Sequence, residues 1–347
     1  MRAPGFNPRK IIRYTIPFIN FLTKRKRKDS AQLSTLRNLI HKGRNSDFGR
    51  HYSFAQLLKQ KDLLQAFRSA TPVHTYSDLN KNWWKSSLHH QKNISWPGKI
   101  KYFALSSGTS DAASKRLPVS SELIRQVRKV GLMQIASFRN FNLPVRTFEK
   151  KVLMLGGTIS LKKTGRCYEG DMSGISAIHM PAWISGVYYL PDNKISRLTE
   201  WQARIDKIVD EAPNWDVGMI CGIPSWVQLV LEKIIKHHQL RNIHQIWPDL
   251  NVYIHGGVSF QTYREGFAKL LGKPVTYIET YMASEGSFGF QPHPDAGICL
   301  VPDAGIFYEF IPFDRHNFDE DGNLRSNPQV VALHEGVEFP FQILSRP

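Results

Sequence analysis

The sequence predicts an α/β fold in which parallel or mixed β-sheets are flanked by helices. Two features carry that expectation. Between Val252 and Glu279 a short apolar run, a helix-periodic stretch and a second apolar run follow one another; a helix of that length between two buried strands implies parallel pairing through a crossover. Two strand-like runs also stop at paired glycines, Gly156-Gly157 and Gly256-Gly257, which end them in turns. With 347 residues, 41% of them hydrophobic and 22% charged, the chain has ample apolar material for a core, which excludes a disordered or low-complexity protein.

Up to about residue 90 the pattern is helical: Leu33, Leu36, Leu39 and Ile40 recur at three-to-four spacing, as do Phe54, Leu57, Leu58 and Leu63, Leu64, Phe67. Ile100 to Leu105 reads as a strand running into a polar loop, and a helix begins near Ser120 or Ser121. Lys151 to Leu155 reads as the next strand. Ser225, three residues before Gln228, has the form of a capping box opening the helix Trp226 to Ile235. Val252 to His255 reads as a strand, Ser259 as the cap of a helix from Tyr263 to Leu271, and Val275 to Glu279 as a further strand that delivers Tyr281 to a loop. In such sheets ligands gather beyond the carboxyl ends of strands, where the Gly256-Gly257 turn and the Tyr281 segment fall.

The formal net charge of +17 is unevenly placed: residues 1–150 carry 29 basic and 7 acidic side chains, and residues 201–347 carry 11 and 18. The densest piece is Lys24, Arg25, Lys26, Arg27, Lys28, which reads either as a solvated face or as a contact for nucleic acid or anionic lipid. No aromatic platform or nucleic-acid motif follows it, so no specific nucleic-acid partner is expected. The apolar stretch Thr15 to Leu22 is far too short to span a bilayer and ends in the basic run, unlike a secretory signal. Cys167, Cys221 and Cys299 are odd in number, with no CxxC pair. A disulfide scaffold is excluded, and a reducing, cytoplasmic setting is expected.

Three segments carry chemistry. Ser106-Ser107-Gly108-Thr109-Ser110, with Lys115 beyond it, offers hydroxyls and a point charge to phosphate oxygens, although it lacks the second glycine of a P-loop; a plain Ser/Thr-rich turn has the same composition. Glu279 to Gly286 places a stacking Tyr281, a phosphate-bonding Ser284 and a carboxylate, Glu285, suited to Mg²⁺ within a few residues. His255-Gly256-Gly257-Val258-Ser259 lets backbone approach a flat ligand, or forms a tight turn. Other templates fail: Gln261 stands where a nucleophile elbow needs its second glycine, and His237, His238 and His244 read as a polar helix end.

These segments, together with Asp47-Phe48-Gly49, Thr71 to Tyr76, Trp96 to Lys101, Gly222 to Trp226 and Gly305 to Phe310, resemble the GH3 acyl-acid amido synthetases, and specifically their bacterial members, within the adenylate-forming superfamily. The resemblance covers most of residues 15–335. It implies a large adenylate-forming-type domain, ATP and Mg²⁺, and two steps: a carboxylic acid attacks the α-phosphate of MgATP to give an acyl-adenylate, and an amino acid then forms the amide. It assigns catalytic roles to Lys115, Ser284 and Glu285, with Glu285 holding the metal. Nucleotide contacts fall to Ser106, Ser107, Gly108, Thr109, Ser110, Gly256, Gly257, Val258, Tyr281 and Ala283, and acid-substrate contacts to Pro224, Ser225 and Trp226.

The departures concern the end of the chain. The family's third motif, Tyr-Arg-x-Gly-Asp, and its small C-terminal lid domain have no counterpart here; the sole Gly-Asp is Gly170-Asp171, and the sequence diverges after Glu335. The expected organisation is a basic arm at 1–30, a large ATP- and acyl-binding domain at 31–335 and a truncated tail at 336–347. Without the ribose carboxylate, ATP affinity is expected to fall about ten- to a hundredfold, leaving this chain with low activity or none. Thioester formation with coenzyme A and a basic nucleic-acid or membrane-surface binding protein are the competing readings.

Overall fold

The computed structural model describes residues 28–89, 91–106, 115–180, 186, 188–326 and 328–332. The basic residues Lys24 to Arg27, the loop residues Ser107, Gly108, Thr109 and Ser110, and the tail at 336–347 lie outside the described residues.

The described residues form an α/β structure built on two sheets. The larger has strand order β11-β10-β9-β8-β7-β3-β6. Its strands β6 (Tyr189–Leu190), β3 (Lys151–Leu155), β7 (Val217–Gly222), β8 (Val252–His255) and β9 (Thr276–Ala283) pair in parallel, whereas β10 (Gly286–Phe290) and β11 (Cys299–Leu300) run antiparallel at one edge. The smaller sheet has the order β2-β1-β5-β4. There β1 (Tyr102–Leu105) pairs in parallel with β5 (Cys167–Gly170), and β2 (Arg116–Val119) and β4 (Lys162–Thr164) pair antiparallel. A short ribbon joins β12 (Glu309–Phe310) and β13 (Val331–Ala332).

The apolar periodicities become one core against one face of the large sheet. Ile205, Ile208 and Val209 of the Trp201–Glu211 helix, Val227, Val230, Leu231 and Ile234 of the Pro224–His237 helix, and Phe267 pack with Leu153, Leu155, Ile220 and Tyr253. On the opposite face, Phe138 and Phe141 cover Met219, Val252 and Ile278.

The Ser121–Ser137 helix joins the two sheets. The Ser120 hydroxyl caps it by accepting from Leu123 N–H at 3.1 Å. Ile124 packs with Ala104, Leu117 and Val119 of the small sheet, whereas Val130 packs with Phe290 of the large one. The β9–β10 register slips between Ser287 and Gly289. At that irregularity the buried Gln126 amide donates to Ser287 O at 2.6 Å and accepts from Ser287 N–H at 3.2 Å.

Three expectations need correction. The Pro224–His237 helix begins before Ser225, with Ile223 as its N-cap and no side-chain capping bond; Pro224 at the first helical position has no N–H to satisfy and its fixed φ suits the helix. Gln228 instead donates to Glu232 at 2.7 Å. Ser259 heads a 3₁₀ turn, Phe260–Tyr263, without a capping bond, and the α-helix is Arg264–Leu270. Strand β9 runs on to Ala283, so Tyr281 sits inside a strand opposite Gly289 rather than in a loop. Strands β2, β4 and β5 carry no clear apolar alternation. Indeed β4 is fully exposed, an edge guarded by Lys162 and Lys163 as edges commonly are.

Replacing Gln126 by Leu strands two buried main-chain groups of Ser287, so Gln126→Leu should destabilise the fold by about 2–4 kcal/mol. Urea unfolding should read this as a lower midpoint at unchanged slope; an unchanged midpoint would refute the linking role.

Candidate functional site

The candidate residues collect where strands of both sheets end. Ser106, half-buried after β1, donates its N–H to Lys115 O at 3.0 Å. That bond closes the β1–β2 hairpin at the foot of the predicted phosphate loop. Opposite it, β9 turns into β10 through only Ser284 and Glu285. The Ser284 hydroxyl lies 3.3 Å from Leu105 O and donates to it. This one contact sets the two phosphate-type segments, 179 residues apart in sequence, side by side. It is longer than the usual 2.7–2.8 Å of an O–H···O bond, so the hydroxyl can give up the carbonyl for a better acceptor at little cost.

Tyr281 packs on Phe288 with ring centroids 5.1 Å apart. Burial, and then the Glu285 carboxylate, push its hydroxyl pKa up, so the phenol stays neutral. Ala283 is half-buried and Glu285 exposed. Among the described residues no cluster of three or more His, Cys, Asp or Glu could hold a metal ion. A lone exposed carboxylate fits Mg²⁺ that arrives already bound to phosphate oxygens, which is how this ion is commonly held.

The turn after β8 is shaped by a close approach. A Cβ on Gly256 would lie 2.2 Å from Thr280 O, and Gly257 has φ +86°; a side chain at the first position collides with β9 and at the second is strained. The same turn touches Ile223 after β7, 3.7 Å from a Cβ built on Gly257, and leaves Val258 40% exposed.

The three predicted acid contacts lie toward the helix-covered face. Pro224 is buried and Ser225 exposed, while Trp226 packs at a tilt against Trp201 with ring centroids 4.6 Å apart. The opposite face carries a more open feature. Met154, Cys221 and Ile254 stand in one row by strand register. Met154 is 38% exposed, and Cys221 and Ile254 are only half-buried, whereas central parallel strands are normally covered on both faces. Burial pushes the Cys221 thiol up to about 11, which makes it an uncharged lining group rather than a nucleophile.

Arg204, on the Trp201–Glu211 helix, gave no signal in sequence because its role comes only from what it touches. It is 7% exposed, donates to Gly156 O at 2.9 Å and lies over the Trp201 ring. It thereby fixes the turn after β3. Two histidines of the polar helix end are structural: His238 bonds Val209 O, and His244 accepts from Gly272 N–H while its other nitrogen bonds Leu250 O; His237 is exposed, 4.0 Å from Asp210.

The model of the GH3 family N-terminal domain matches residues 18–205, more than half of the chain. The chain belongs to the GH3 family. Solved structures similar to the GH3 chain include a GH3.15 acyl acid amido synthetase, at 14% identity and TM-score 0.62 over 79% of this chain and 57% of that one. AtGH3.15 acyl acid amido synthetase in complex with 2,4-DB matches at 14% identity and TM-score 0.65, over 87% of this chain and 61% of that one. The GH3 chain thus shares their fold and spans about three-fifths of their length. No curated protein matches it in sequence. No described helix is long and apolar enough to cross a membrane.

The strongest pH dependence in the site lies at His255, which is 3% exposed and stacked on Phe260 at 4.4 Å. Burial, and then the Arg264 guanidinium, lower its pKa from 6.5 to about 4. The unfolded chain therefore binds the proton more readily. Stability is complete above about pH 6.5 and falls as pH drops toward 4, by up to about 3 kcal/mol. Urea unfolding across that range should show the loss in wild type and a smaller one in His255→Phe; parallel curves would contradict the assignment.

Proposed function

We propose that the GH3 chain binds MgATP at the junction of its two sheets and activates a carboxylic acid there as an acyl-adenylate, from which an amino acid forms an amide. The observation that carries this reading is the Ser284–Leu105 hydrogen bond, which brings a hydroxyl and a carboxylate from one sheet to the lysine-bearing hairpin of the other. Neither segment alone supplies the cation, hydroxyl donor and metal-binding carboxylate that a triphosphate needs.

The acid's carboxylate oxygen attacks the α-phosphorus and pyrophosphate leaves with the bonding electron pair. The amine then attacks the acyl carbon, AMP departs and the nitrogen loses a proton. In this reading the Lys115 ammonium offsets charge that builds on the phosphates, with Ser106, Ser107, Gly108, Thr109 and Ser110 as the loop donors. Ser284 turns from Leu105 O to an α-phosphate oxygen. Glu285 holds Mg²⁺, which neutralises phosphate charge when bound. The Gly256-Gly257-Val258 turn, Tyr281 and Ala283 border the base. Met154, Cys221 and Ile254 give the acyl tail an uncharged floor, and Pro224, Ser225 and Trp226, just past the end of β7, border the acid at the strand ends. Residues 31–335 act as the large domain, in a cytoplasmic protein.

Calorimetric titration with MgATP tests the reading on the intact chain. Lys115→Met should weaken binding roughly tenfold or more, the effect of losing a charge-assisted contact, and Glu285→Gln should reduce the dependence on Mg²⁺. Equal affinity in wild type and Lys115→Met would overturn it. Acid-dependent ATP–pyrophosphate exchange, trapped with amino acids or with coenzyme A, separates amide from thioester formation.

A further inference from the structure

The structure assigns Tyr76 as a positioning residue that pre-orders the Lys115 ammonium for an anionic ligand. The assignment rests on the phosphate role proposed for Lys115. Tyr76 lies in the Thr71 to Tyr76 segment, to which neither the sequence reading nor the proposed reaction gives a task.

Tyr76 holds the Lys115-Arg116 dipeptide in two ways. Its hydroxyl accepts the Arg116 main-chain N–H at 2.9 Å. Its ring lies under the Lys115 ammonium, with Nζ 5.4 Å from the centroid, within the range of a cation–π contact. The dipeptide is anchored twice more. Lys115 O accepts from Ser106 N–H at 3.0 Å. The Arg116 guanidinium reaches across β1 to Glu169, with Nε 3.1 Å from Oε1. Glu169 is only 2% exposed, and this contact lacks hydrogen-bond alignment, so it acts as a charge pair that holds the hairpin down on the sheet.

Tyr76 is itself fixed. Thr75 and Asp78 form a reciprocal capping box around it: Asp78 N–H donates to Thr75 Oγ1 at 3.3 Å, and Thr75 N–H and hydroxyl donate to Asp78 Oδ2 at 2.9 and 2.7 Å. These bonds from Thr75 hold the Asp78 carboxyl below the usual carboxylate range. On its far side the ring meets Trp84 edge-on at 5.7 Å.

The arrangement answers a problem of exposure. Lys115 is exposed, and a free lysine samples many rotamers that must be given up when it meets a phosphate. A ring beneath the ammonium narrows that search without occupying its N–H donors in directed hydrogen bonds. The three donors stay available to phosphate oxygens, and the rotamer cost of binding falls.

The test is a double-mutant cycle on the intact chain, with the MgATP dissociation constant as the readout and the thermal midpoint recorded alongside. Tyr76→Leu should weaken MgATP about three- to tenfold. Tyr76→Phe, which keeps the ring and loses the hydroxyl, should recover most of that loss. In the Lys115→Met background Tyr76→Leu should have no further effect, because coupled residues are non-additive. Equal weakening by Tyr76→Leu in both backgrounds, or no weakening where Lys115→Met does weaken binding, overturns the positioning role alone. An unaltered affinity in Lys115→Met overturns the phosphate reading, and the role of Tyr76 with it. If Tyr76→Leu lowers the midpoint too far to titrate, Tyr76→Met, which fills the space without a ring, replaces it in both backgrounds: weakening that disappears in Lys115→Met is expected, and equal weakening in each, or none in either, overturns the proposal.

Discussion

The whole site depends on one helix lying between two sheets. Ser121–Ser137 presents Ile124 to the small sheet and Val130 to the large one, and Gln126 binds both main-chain groups of Ser287. Buried polar groups held in this way are costly to displace, because each would otherwise be left unpaired away from water. The clamp lies three residues beyond Ser284, so it sets where the β9–β10 turn stands relative to the end of β1. The helix thus helps set the position from which Ser284 reaches Leu105.

Charge is distributed across this junction in a consistent sense. The hairpin side carries Lys115 and Arg116, with Arg116 drawn down by buried Glu169. The turn side carries Ser284 and an exposed Glu285. A cation on one side of the junction and an exposed carboxylate on the other suit a polyanion that brings its own divalent ion. The apolar row Met154, Cys221 and Ile254 on the large sheet adds a different environment, suited to an uncharged tail.

Much of this was legible in the sequence, and unevenly so. Strands β3, β8 and the start of β9 announced themselves because central parallel strands are continuous apolar runs bounded by glycine. In the small sheet only β1 did: β4 reads Lys-Lys-Thr and β2 contains a proline, so their pairing follows from β1 and the hairpin rather than from their own composition. Ser225 and Ser259 imitated caps because a short polar residue before an apolar run is the same signal whether or not the backbone uses it. The chemistry-bearing segments could be named from their residue types. Their proximity could not, since it arises from the Gln126 clamp and the Ser284 contact, both between distant positions. Arg204 and Tyr76 were silent for the same reason: a charged residue in an amphipathic helix and a tyrosine after a threonine acquire their roles only from what they touch.

In the proposed reading a nucleotide occupies the junction between the two sheets. Hydrogen exchange of the intact chain with and without MgATP tests it most directly, because amides on both banks report independently. Exchange should slow at Ser106 and at Lys115-Arg116 together with Ser284-Glu285-Gly286. Protection confined to one bank, or to the basic residues before Lys28, would contradict it.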